Sequence, residues 1–179
     1  SHTHQTGEIS GSYLFRPTKT RIKGHLGTGF RDPALFELFG RSLSSRGRLF
    51  IFGNPDLKPE KSLGWDMGVE QKFFKDTLTL GGTFFKTEYS KRIDFVGSGY
   101  KQVTGGYSQG AELEALWQPI ENLKLSLSHT RTFAEAGGRS ITGIPRNLWG
   151  LNFDWKFLNR FRYNLDLTHK GNEQIQIFS

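Results

Sequence analysis

The sequence contains no cysteine and a single methionine. Without thiols, disulfide staples, thiolate nucleophiles and Cys-ligated zinc are excluded, while the redox compartment stays open. Long apolar runs are missing too, and no stretch approaches the roughly 18 residues that a membrane-crossing helix requires. That excludes insertion by helices only, because a barrel strand crosses the same bilayer with about 10 alternating residues. The glycine-containing stretches "GTGF" and "GGR" lack the strand-to-helix context of a phosphate loop. Apolar residues amount to 35% of 179, which is thin for an ordinary core, yet aromatics reach 14% and glycine counts 22, a mixture suited to strands and turns. The net charge of +7 comes without a base-reading module or a stacking pattern, so no nucleic-acid partner is expected.

What is present is a period of two. In "NLKLSLSHTRTF", Leu123, Leu125 and Leu127 face one way, and Lys124, Ser126, Ser128 and Thr130 the other. "LWGLNFDWKF" sets Trp149, Leu151, Phe153, Trp155 and Phe157 against Gly150, Asn152, Asp154 and Lys156. "FRYNLDLTH", "LGWDMGVEQKF" and "GAELEALWQ" alternate in the same manner, while "GEISGSYLF", "TRIKGHLGTGF" and "TLTLGGTFFK" do so more weakly. The pattern predicts about eight strands of about 9–15 residues. Short connections near Pro17, Asp76, Pro119 and Asn159 read as hairpin turns. Long ones, at 29–59, 93–106 and 134–145, alternate with them and are too long for tight hairpins.

Short turns at one end and long loops at the other describe an outer-membrane barrel. Tyr13, Phe15, Phe73, Phe74, Trp117, Trp155, Phe157, Phe161 and Tyr163 cluster by the short turns, as an interfacial aromatic belt would. The opposite face carries Arg21, Lys23, His25, Asp66, Glu70, Glu112, Glu114, Lys124, Asp154, Lys156, Arg162 and Asp166. These would crowd a closed eight-stranded lumen, so an arc of a larger barrel with a polar, water-filled or plugged interior is expected. A soluble sandwich with a Phe-rich core is the competing architecture.

The stretches "GTGFRDPALFELFG" and "NPDLKPEKS", followed by "YSQGAELEALWQPIENLKLSLSHTRTFA" and "IPRNLWGLNFDW", resemble the barrels of TonB-dependent outer-membrane receptors. The resemblance runs from about Gly7 to Gly171. It implies an all-β, antiparallel up-and-down transmembrane barrel segment, about eight strands from the second half of a barrel of about 22 strands. Residues 1–179 are then a partial barrel domain, with the plug domain and the final strands outside it. The resemblance also implies the outer membrane of a Gram-negative bacterium and uptake of a scarce nutrient complex. A ferric siderophore is the leading cargo, with cobalamin or haem as the others, and coupling to TonB runs through the plug. An outer-membrane barrel hydrolase and a passive porin are the alternative functions.

Within the first long stretch, Pro33 is expected to end the strand so that "ALFELFG" makes a short helical turn, with Phe30, Leu35, Phe36, Leu38 and Phe39 packing at the rim. Asn54 and Asp56 can satisfy local backbone donors, and Glu60 begins the next strand. The candidate ligand-binding residues are Arg41, Arg46, Arg48, Phe50, Phe52, Tyr100, Tyr107 and Arg139, cations and flat rings on the long loops. Arginine engages carboxylates in bidentate fashion, and the same charge suits outer-membrane lipid and lipopolysaccharide. No catalytic residue, metal ligand set or cofactor is assigned. His2 and His4 sit two apart but read as a loop remnant, and His25, His129 and His169 fall on separate strands without a nucleophile motif.

Overall fold

The computed structural model describes residues 5–137, 139–141, 144–157 and 160–171. His2, His4 and the tip of the turn at Asn159 lie outside the described residues. One antiparallel sheet dominates. Its main path runs β1 (Glu8–Phe15), β2 (Thr20–Arg31), β5 (Glu60–Phe73), β6 (Leu78–Val96), β8 (Gly106–Ile120), β9 (Leu123–Ala136), β11 (Asn147–Phe157) and β12 (Phe161–Gly171). Each of these eight strands pairs with its neighbours on that path, so the topology is an up-and-down meander. Four short strands serve the connections. β3 (Arg41–Leu43) and β4 (Leu49–Ile51) form a separate hairpin, β7 (Gly99–Thr104) pairs with β6, and β10 (Arg139–Ser140) pairs with β9. A single helical turn, α1 (Leu35–Phe39), follows β2.

The register sorts side chains into two faces. Arg21 lies opposite Glu70, His25 opposite Asp66, Gly81 opposite Glu114, Lys124 opposite Asp154 and Lys156 opposite Arg162, which collects the charged list on one side. The other side carries Ile22, Val69, Phe84, Leu113 and the row from Trp149 to Phe157. Nothing covers that apolar side among the described residues. Among the described residues only Leu57 and Ile93 are buried hydrophobic residues, whereas Met67 is 61% exposed and Trp149 44%. A sandwich would bury this row under a second layer, and no second layer is present among the described residues.

Three expectations are refined. Residues 93–106 are not a loose loop, because β6 continues to Val96 and folds back as β7, pairing Ile93 with Gln102 and Phe95 with Tyr100. Pro119 lies within β8 at a bulge between Trp117 and Ile120, where its missing N–H costs no ladder bond, and the turn falls at Glu121 and Asn122. Of the rim hydrophobics, Leu35, Phe36 and Phe39 are 77%, 59% and 61% exposed, although Phe36 still meets the Phe52 ring at 4.9 Å. A five-residue helix presents too few faces to bury all of them.

At the end of the short turns, Lys19 of the β1–β2 turn pairs with Asp76 of the β5–β6 turn at 2.8 Å. The Lys19 ammonium, hydrogen-bonded to the Asp76 carboxylate, holds that group below the usual carboxylate range. Tyr13 and Phe15 meet edge-on at 4.7 Å and Phe157 stacks on Phe161 at 5.5 Å, beside the same turns.

Candidate functional site

At the opposite end, the connection from β2 to β5 is built on one arginine. Arg31, the last residue of β2, grips Glu37 of α1 with two guanidinium nitrogens at 3.1 Å each, and Glu60 of β5 through Nε at 2.6 Å. Glu60 in turn accepts the backbone N–H of Ile93 on β6 at 2.6 Å, and Glu37 accepts that of Ala34 at 2.7 Å, closing the first turn of α1. Three strands and the helix are thereby tied together by charge-assisted bonds. The helix ends where the chain returns. Gly40 and Gly53 lie back to back, with the N–H groups of Phe52 and Gly53 both donating to the Gly40 carbonyl at 3.0 and 2.9 Å. A Cβ on Gly53 would come within 2.4 Å of the Gly40 nitrogen, so no larger residue fits there unless the backbone shifts.

Aromatic rings fill the space above. Phe52 lies 4.9 Å from Phe36, 6.4 Å from Tyr100 and 6.5 Å from Phe95. Backbone bonds lock the group to the β6–β7 hairpin: Tyr100 N–H donates to the Phe52 carbonyl at 2.8 Å, and Gln102 exchanges bonds with the backbone of Lys58 at 3.2 and 2.9 Å. Asn54 fulfils its expected local role, its side-chain oxygen accepting the Asp56 N–H at 3.0 Å.

From this footing the β3–β4 hairpin projects. Arg41 pairs with Ile51 and Ser42 with Phe50, while Arg46 and Arg48 sit at the turn, where Gly47 takes φ +74°. The Arg48 guanidinium lies 5.6 Å over the Phe50 ring, and Phe50 and Ile51 are 50% and 70% exposed. Arg41, Arg46, Arg48 and Phe50 thus share one hairpin, and Phe52 and Tyr100 form the aromatic base beneath it. Tyr107 stands apart on β8, its hydroxyl 3.1 Å from Glu135 and its ring 5.8 Å from the Lys86 ammonium. Arg139 lies on β10 through backbone pairing with Ala136, and its side chain is outside the described residues. Sequence reasoning did not single out Arg31 and Glu37. Their only signal was a cation and an acid flanking a proline at a strand end.

The arrangement offers cation and ring contacts. Among the described residues, no group of three His, Cys, Asp or Glu side chains is placed to hold a metal ion.

Comparison with known proteins places this architecture. Residues 4–175 match the family described as TonB dependent receptor-like, beta-barrel. The iron-regulated outer membrane virulence protein of Vibrio cholerae is 27% identical over 193 aligned positions, covering 96% of this chain and 29% of that protein. A probable TonB-dependent siderophore receptor, PirA of Acinetobacter baumannii, is 28% identical over 160 positions, covering 83% of this chain and 20% of the relative. Among solved structures, the ferric enterobactin receptor PfeA of Pseudomonas aeruginosa, determined in complex with enterobactin, superposes with a TM-score of 0.71 at 18% identity, over 93% of this chain and 28% of that one. The chain therefore spans less than a third of the length of these proteins. With its single-layered meander, polar and apolar faces, and match along almost its whole length, the chain belongs to the TonB-dependent receptor β-barrel family of the Gram-negative outer membrane.

Proposed function

We propose that this segment supplies part of the wall and the ligand-facing rim of a receptor that imports a ferric siderophore, energy reaching it from TonB through a plug encoded elsewhere in the protein. The observation that carries the reading is the β3–β4 hairpin, which holds Arg48 over the exposed ring of Phe50, with Arg46 at its turn and Arg41 on its other face, all on a braced base. A ferric catecholate carries more phenolate charge than its iron cancels and has flat aromatic faces, so guanidinium groups and a phenyl ring complement both properties. The iron-regulated and siderophore-receptor names of the relatives favour this cargo over cobalamin and haem. Those names are of receptors, and no covalent step is proposed.

The test uses the full-length receptor and a panel of ferric enterobactin, a ferric hydroxamate, cobalamin and haem, with binding followed by fluorescence quenching. Binding of a ferric siderophore is expected, weakened at least about tenfold by the combined R41Q, R46Q and R48Q changes. Binding of cobalamin or haem alone overturns the cargo. An unchanged Kd in the triple variant overturns the role of the hairpin.

A further inference from the structure

The wall carries a second feature, on its lipid side. Lys58, Lys61 and Lys91, with Asp32, Leu38 and Leu57, line a hollow of about 630 Å³. Its height on the wall follows from register. Phe30 pairs with Lys61 and Lys61 with Lys91, and directly paired residues point to the same side of a sheet. Below Lys61 at alternate positions come Leu63, Trp65, Met67, Val69 and, past Gln71, Phe73, the outward apolar row of β5. From Phe73 to Leu63, at about 3.3 Å per residue and a tilt of about 45°, the row rises about 23 Å, close to the apolar band of about 25 Å on outer-membrane barrels. Lys61 is the next outward position above that band, on the side of the long loops, at the level of outer-leaflet headgroups.

The local charge arrangement is unfavourable as it stands. Lys61 and Lys91 are directly opposed, a like-charge pair that destabilises a ladder. The register slips at Lys61 and Ser62, and the extra residue Ser90, bonded to the Lys61 carbonyl at 3.4 Å, also lines the hollow. Lysines outnumber the lining acid Asp32 three to one. Glu60, next to Lys61 in sequence, is committed to Arg31 and to the Ile93 N–H. The same hollow is lined by apolar side chains, Leu38 and Leu57 with Pro33, Pro55 and Pro59. Cations beside apolar side chains, facing lipid, fit an amphiphile whose polar end is an anion.

We propose that this hollow binds the phosphorylated headgroup of an outer-leaflet glycolipid, the lysines engaging its phosphate and Leu38 and Leu57 meeting its apolar part. The proposal does not rest on the cargo assigned above. The probes are bisphosphorylated lipid A, its dephosphorylated form and inorganic phosphate, each titrated into the detergent-solubilised full-length receptor and read by native mass spectrometry. The intact receptor is expected to retain bisphosphorylated lipid A, with at least about tenfold weaker retention in the K58Q, K61Q, K91Q variant. The dephosphorylated lipid should bind both proteins equally weakly. Equal retention of bisphosphorylated lipid A by receptor and variant overturns the site. Inorganic phosphate binding as tightly as the lipid overturns the lipid as occupant. Should the triple variant fail to fold, Lys91→Gln alone, which leaves Lys61 unopposed and the ladder intact, is expected to weaken retention about threefold, and an unchanged value there overturns the site equally.

Discussion

Arg31 gathers carboxylates from two elements, and Glu60 passes the constraint on to a backbone amide of a third. Glu60→Ala removes both the anion and the acceptor. The amide of Ile93 is then expected to exchange with solvent roughly tenfold or more faster, about 1.4 kcal/mol of local opening, as measured by hydrogen exchange of the full-length receptor. Asp76 tests a second pairing by titration. Its carboxyl is depressed by Lys19, so the contact persists at neutral pH and is lost only as pH falls through the lowered value, below the ordinary aspartate range of about 4. Lys19→Ala is expected to return the Asp76 titration, followed by carboxyl NMR, to that ordinary range. Neither pairing was legible from sequence. Arg31 and Glu60 lie 29 positions apart and Lys19 and Asp76 lie 57 apart, with no periodic signature to join them. The local bond from Asp56 to Asn54 spans two residues, and the turn chemistry of asparagine announced it.

Alternation made the strands readable, since side chains on β9, β11 and β12 change face at every step and the residue types change with them. Connections were less legible because their order comes from contacts between distant segments. In the β6–β7 hairpin Asp94, Gly97 and Gly99 interrupt the alternation, which hides the strand pairing there, yet β6 runs for 19 residues. At about 3.3 Å per residue and about 45° tilt, that length rises about 44 Å, well past a hydrocarbon core of about 30 Å, so its upper part stands outside the membrane and can brace a neighbour. The helix, the Gly40–Gly53 contact and the Phe52 cluster use that brace. Gly53→Ala forces a methyl against the Gly40 nitrogen and the Leu38 carbonyl, and a loss of about 1–3 kcal/mol from the loop is expected, read as faster limited proteolysis between α1 and β5 with the barrel itself intact.

For the molecule as a whole, the sheet is inverted relative to a soluble domain, with apolar side chains turned to the surroundings and charges facing the enclosed space. The sequence shows this, because a period of two with strongly unlike faces survives any uncertainty in register. What it does not show is which cations stand above the band and which lie over the lumen, since that depends on strand offset and on the bulge at Lys61. A paired substitution checks the assignment. Met67→Arg, midway along the outward row of β5, is expected to cost about 2–4 kcal/mol, measured by urea titration of the full-length receptor folded into lipid vesicles, whereas Thr83→Arg, on the lumen side, should cost much less. Two margins of this sheet, along β1 and β12, carry one partner strand each among the described residues. An amide or carbonyl stranded in hydrocarbon costs several kcal/mol, so a ribbon with bare borders has no resting place in the bilayer. Insertion of such a wall is consequently an all-or-none event, rewarded only when the last neighbour seals the ring, and partly zipped intermediates are confined to the water side.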